Sequence, residues 1–175
     1  MQFISETLTV VLEFLEMGGP VLLLIGGLLF VMWSLIFERA FYFATGLKKD
    51  LDAVISEWEQ RSERSSWRAR RIREMLISET VIKINQNMAV IKTLVALAPM
   101  LGLLGTVTGM IEVFHVMAVT GGGDPKSMAG GVSKATVPTM AGMVAALSGV
   151  FAQAYLTRIV ERESALLEDH LTSDH

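Results

Sequence analysis

The sequence predicts an all-α integral membrane protein with three transmembrane helices, and three observations predict it. Met17–Phe37, Thr93–Ile111 and Ala135–Thr157 are runs of 21, 19 and 23 residues without a charge. About 20 apolar residues in a helix suffice to cross a ~30 Å hydrocarbon layer. The composition agrees: 51% of the 175 residues are hydrophobic and the mean hydropathy is +0.48. The basic residues, finally, are distributed so as to orient the spans. Eleven of the fifteen Lys and Arg fall between the first two runs, among them Arg39, Lys48, Lys49, Arg73, Lys83 and Lys92.

The elements follow in order. Residues 1–16 place Phe3, Ile4, Thr7, Val10, Val11, Phe14 and Leu15 near one helical face, with Glu6, Glu13 and Glu16 off it. This predicts an amphipathic helix on the outer membrane surface. The segment has acids and no basic residue, so it does not read as a secretory signal. Residues 17–37 form span one. Residues 38–92 carry the positive charge and belong in the cytoplasm, which puts the N-terminus outside and the C-terminus inside. From Trp67 to Lys92 there is no Gly or Pro, which predicts one unbroken helix over 67–98 that Pro99 then bends. Span two covers 93–114, an outer connection covers 115–134 with TGGGDPKSMAG (120–130) as its turn, and span three covers 135–157. Residues 158–175 extend span three as a cytoplasmic tail. Because the spans are separated by segments this long, the N-terminal helix and the two cytoplasmic extensions make up most of the remainder.

Spans two and three differ from the first. Gly102, Gly105 and Gly109 repeat along span two, and Ala141, Ala145 and Gly149 along span three. Small residues every fourth position let helices approach closely where lipid supplies no hydrophobic drive. With only three spans to bury both stripes, self-association is the expected use. Thr106 and Thr108 lie in span two; Thr136, Thr139 and Ser148 lie in span three. A lone membrane threonine usually bonds back to its own helix. Thr106 and Thr139 stand out, because counting inward from Glu112 and Lys134 puts their hydroxyls at nearly one depth. Glu112 and Lys134 themselves are placed for an ion pair at the outer end of the helix pair, or for two snorkelling side chains.

Other function classes fall away. A net charge of −3 offers no basic surface for nucleic acid. Zero cysteines remove disulfides and thiol chemistry. His115 with Glu112 makes only two ligands, short of a metal site. GGGDPK lacks the strand and GK[ST] of a phosphate loop. The run RARRIR (68–73) reads as a solvated basic face or a contact for anionic lipid. No nucleophile–base or paired-carboxylate arrangement is present, so the chain is not an enzyme. Between Glu112 and Lys134 at the outer ends and the cytoplasmic ends of the spans there is no Asp, Glu, His, Lys or Arg, although a proton path needs titratable groups at depth. A proton-conducting chain of this kind depends on a partner for the carboxylate.

LGLLGTVTGM (101–110) and GVSKATVPTMAGMVAALSGVF (131–151) resemble the signature helices of the MotA/TolQ/ExbB proton-channel family, and the three-span layout is similar to ExbB and TolQ. The resemblance covers essentially the whole chain, and the second segment looks closest to ExbB of accessory TonB systems. It implies a homopentamer in the inner membrane of a Gram-negative bacterium, around an ExbD-like single-span protein that supplies a membrane Asp. It implies proton transport that energises a TonB-like protein, with Thr106 and Thr139 as pore-lining residues and no cofactor. A TolQ-like role in envelope maintenance and a non-conducting assembly scaffold are the alternatives. Many family members have Glu where this chain has Lys134, and a neutral residue where it has Glu112. A charge relocated across the helix pair would make Lys134→Glu alone lower activity, and Glu112→Lys/Lys134→Glu restore it, in a transport assay.

Overall fold

Five α-helices and one π-helical segment account for nearly all the described residues of the computed structural model. The backbone is described for residues 2–61, 63, 66–121 and 125–171, and side chains within it except 2–17, 120, 126 and 127. Helix α1 spans Gln2–Phe41, a π-helical segment Tyr42–Gly46, α2 Leu47–Glu59, α3 Trp67–Asn85, α4 Met88–Thr120 and α5 Pro125–His170. Three stretches, Gly18–Glu59, Trp67–Val119 and Met128–His170, each contain an 18-residue window long and apolar enough to cross a membrane. The predicted amphipathic face of residues 2–16 lies outside the described side chains, although its backbone is helical.

The chain forms two compact units. The first comprises residues 1–33 and 93–150. Within α1, Gly19 has φ 61° and ψ −163°, a conformation that a side chain would strain. Pro20 follows it at the start of the next helical stretch, where its missing N–H and fixed φ are tolerated. Past this kink Val21 and Ile25 pack against Ala98 of α4 and Ala145 of α5, with Leu101 and Ala141 at the edge.

The α4–α5 contact is made where side chains are absent. A Cβ on Gly142 would stand 2.6 Å from the Ala98 carbonyl oxygen and 3.0 Å from the Gly102 Cα. A Cβ on Gly109 would meet the Ala135 Cα at 2.8 Å, and one on Gly105 would collide with the Pro138 ring. Gly149 gives the same room to Val95 and to Met32 of α1. The small-residue stripes are therefore consumed inside the chain, which corrects the expectation that they serve contact between copies. The remaining surface of α4 is what faces outward: Met100, Leu103, Val107 and Ile111 are exposed.

The second unit comprises residues 34–92 and 151–175. Trp58 of α2, Ala69 and Leu76 of α3, and Leu167 and Leu171 at the end of α5 form one apolar cluster, and Leu47, Ile84 and Val160 a second. Ser66 caps α3, accepting from the Ala69 N–H at 3.2 Å, as an N-cap serine does. Of the RARRIR run, Arg68, Arg70 and Arg71 are exposed, while Arg73 donates to the Glu168 carbonyl at 2.9 Å and to that of Leu171. A guanidinium there satisfies carbonyls that a helix end leaves open.

Two expectations need correcting. The helix expected over 67–98 is broken at Gln86–Asn87, where Asn87 takes φ 64°; asparagine is one of the few side chains that tolerates this region, so no Gly or Pro was needed to make the break. The outer connection is shorter than 115–134, because α4 runs to Thr120 and α5 starts at Pro125, placing a proline at a helix start.

Gly142→Ala is expected to lower stability by roughly 1–3 kcal/mol, since backbone rather than a movable side chain opposes the new methyl. Gly26→Ala, with nothing within 4 Å of the added carbon, serves as the neutral comparison in detergent thermal unfolding.

Candidate functional site

Most membrane hydroxyls of this chain satisfy themselves locally. Thr106 Oγ1 donates to the Leu103 carbonyl at 2.7 Å, Thr136 to Ser133 at 2.8 Å and Ser148 to Ala145 at 2.8 Å. Thr108 donates to the Leu104 carbonyl at 3.0 Å and reaches that of Gly105 at 3.1 Å. This is the usual behaviour of Ser and Thr in a helix. Thr139 is different. Its Oγ1 crosses from α5 to the Gly102 carbonyl of α4 at 2.8 Å. It reaches because Gly102 has no side chain: a Cβ there would lie 3.0 Å from the Thr139 Cα.

That carbonyl links the two sequence-selected threonines. In a regular helix the Gly102 carbonyl accepts the N–H four residues on, which is that of Thr106. The Thr139 hydroxyl and the Thr106 amide thus converge on one oxygen, and both threonine side chains are half-buried. At about 3.6 residues per turn, Thr106 lies on the opposite flank of α4 from Leu101, which packs toward α1. Thr139 likewise lies on the opposite flank of α5 from Ala141. Both threonines therefore share the side of the α4–α5 seam that α1 leaves open.

The register sets the depths. Gly109 opposes Ala135 and Gly105 opposes Pro138, so Thr106 sits one to two residues, roughly 1.5–3 Å, nearer the outer end than Thr139. The same register, with Gly131 facing Val113, places Glu112 level with Val132 and not with Lys134. Glu112 and Lys134 are exposed, and among the described residues they form no ion pair with each other. Each lies about 120–140° round its helix from its threonine, on the flank of the seam that faces toward α1. Gly105, Gly109, Ala141, Ala145 and Gly149 line the packed seam itself.

Sequence reasoning missed two residues that make this geometry. Pro138 fills the space over Gly105, and Gly142 admits the Ala98 carbonyl. Gly142 was detectable as a further small residue on the stripe, one turn beyond Pro138. The reach of Thr139 was not, because its partner lies on another helix. Among the described residues no group of three His, Cys, Asp or Glu could hold a metal ion.

Comparison with known proteins is consistent in direction. The profile of the MotA/TolQ/ExbB proton channel family matches residues 39–169. An ExbB-like biopolymer transport protein of Synechocystis is 45% identical over 60 residues, 33% of this chain and 24% of its own length. A biopolymer transport protein of the ExbB type from Vibrio cholerae is 36% identical over 88 residues, 50% of this chain and 39% of its own. The biopolymer transport protein ExbB of Helicobacter pylori is 34% identical over 77 residues, 44% of this chain and 53% of its own. The chain thus spans between a quarter and about half the length of these relatives.

Thr139→Val is expected to lose about 1 kcal/mol of stability, since it deletes a bond between helices and leaves the shape intact. Thr106→Val, which loses only a bond within its own helix, is expected to shift the detergent melting curve far less, and Thr139→Ser to restore it.

Proposed function

This chain belongs to the MotA/TolQ/ExbB proton channel family, and from that premise we propose that it is the ExbB-type subunit of an inner-membrane proton-driven motor. The family is one of multi-pass membrane transport components, not of enzymes. In this reading several copies, five by family resemblance, surround the helix of an ExbD-like single-span protein and pass the energy of the proton gradient to a TonB-like protein for outer-membrane transport. The N-terminus is outside and the C-terminus inside, as the basic segment 38–92 requires.

The observation that carries the reading is the Thr139 hydroxyl on the Gly102 carbonyl, one turn before Thr106 and on the open side of the seam. A hydroxyl both donates and accepts. It can therefore hand a proton along a chain of waters without carrying charge itself. Neither threonine titrates in the accessible range, so the group that holds the proton has to come from the partner, as a carboxylate facing this side. Placing a carboxylate beside two hydroxyls also offsets part of the cost of its charged form in a low-dielectric site. The exposed apolar residues of α4, such as Leu103 and Val107, then face lipid or neighbouring copies.

Two measurements test this. Intact mass of the detergent-purified protein is expected to show five copies of the 19.2 kDa chain, ~96 kDa, with added mass on co-expression of an ExbD-like partner. Thr106→Val and Thr139→Val are each expected to reduce proton-driven transport more than tenfold with that assembly intact. Near-normal transport in both variants would leave only an assembly scaffold.

A further inference from the structure

A chain of polar contacts at the cytoplasmic end of span one closes on the break between α3 and α4. Asn87, in the left-handed conformation at the break, donates its Nδ2 to Glu38 Oε2 at 3.0 Å. The same Glu38 oxygen lies 3.3 Å from Arg39 Nε. Arg39 is 3% exposed and donates Nη1 to the Lys83 carbonyl at 3.3 Å. That carbonyl belongs to the last turn of α3 and also accepts the Gln86 N–H at 3.3 Å, so Arg39 takes up its second lone pair. The Arg39 guanidinium also stacks over the Tyr42 ring, 5.1 Å from its centre. Tyr42 begins the π-helical segment and donates its hydroxyl to Asp50 Oδ2 at 2.8 Å, and Lys83 Nζ meets the same oxygen at 2.7 Å.

We propose that the Gln86–Asn87 break is a latched hinge, held closed by Glu38 and Arg39 on one side and by Tyr42, Asp50 and Lys83 on the other, whose release frees α4 to turn relative to α3. Arg39 is then a positioning residue for the helix that carries Thr106, acting through the end of α3.

The arrangement fits a latch better than plain packing. The three contacts that leave the α1–α2 segment end on Lys83, in the last five residues of α3, or on Asn87 at the break itself, and the Glu38–Arg39, Arg39–Tyr42 and Tyr42–Asp50 contacts tie their inner partners to one another. Arg39 Nε remains buried without a well-directed hydrogen bond, so the closed state holds a cation that gains by opening to water. The π-helical segment that sets Tyr42 beside Asp50 is a form that appears mostly as single turns, frequently at functional sites. Lys83 holds the Asp50 carboxyl below its usual range, with the Tyr42 hydroxyl adding to the effect. The Tyr42 phenol is pushed up to about 12, first by burial and then by Asp50. Asp50 therefore stays a carboxylate and Tyr42 a neutral hydroxyl donor at physiological pH.

The full chain has no cysteine, so spin labels placed at Glu79→Cys and Lys92→Cys, both exposed positions, report the distance across the break. The parent is expected to give one narrow distribution. Asn87→Gly with Lys83→Met removes the Glu38 contact and the Asp50 ion pair, leaving only the Arg39 bond to the residue-83 carbonyl, while Gly keeps the left-handed conformation, and is expected to at least double its width or add a second distance. Tyr42→Phe removes one hydroxyl alone and is expected to give an intermediate width in a chain of unchanged helicity. Exchanging the pair, Lys83→Asp with Asp50→Lys, should return the narrow distribution. Parent-like distributions in both the double variant and Tyr42→Phe would overturn the latch. The reading needs neither partner nor proton gradient, so its failure is separate from failure of the proton-channel assignment.

Discussion

The close approach of α4 and α5 is the constraint on which the first unit rests. In hydrocarbon, apolar side chains gain nothing by leaving lipid for each other, so helices are held by fit and by the few hydrogen bonds they share. Here the fit comes from what is missing. Gly102, Gly105, Gly109 and Gly142 bring backbone against backbone, and only at that separation can a threonine hydroxyl reach a carbonyl on the other helix. The same contact that holds the pair together thus assembles the polar feature at its edge.

This sharing explains which side of the molecule is available for function. α1 covers one flank of the seam through Val21 and Ile25, and the threonines lie on the other. The outer charges, Glu112 and Lys134, point to the α1 flank beyond the covered stretch and stay exposed, because the helical repeat does not bring residues five or six apart onto one side. A role for those charges is therefore separate in space from the hydroxyls, and joins them only through the assembly as a whole.

Much of the architecture was legible because bilayer thickness translates directly into uncharged runs of 19–23 residues, and because a cationic segment marks one side of the membrane. The stripes of small residues were equally plain, yet their partner was not: Gly105 reads the same whether Pro138 of its own chain or another copy fills the space above it. The threonine pair emerged from counting, although the count assumed that Glu112 and Lys134 stand level, and register depends on packing that no single segment encodes. The break at Asn87 escaped because asparagine in the left-handed region leaves no composition signal. Arg39 looked like one more positive charge among eleven, and only tertiary structure shows that it is turned inward.

The seating of the Pro138 ring over Gly105 bears on how such sequences diverge. Any side chain gained at 105 meets a rigid pyrrolidine that has no rotamer to yield, whereas loss of the ring leaves a void in the seam and returns an N–H to the carbonyl of Lys134. Neither step is neutral alone. The two positions are thus sterically coupled, and a chimera that takes α4 from one chain and α5 from another with a different residue at either position meets a clash or a void at this point.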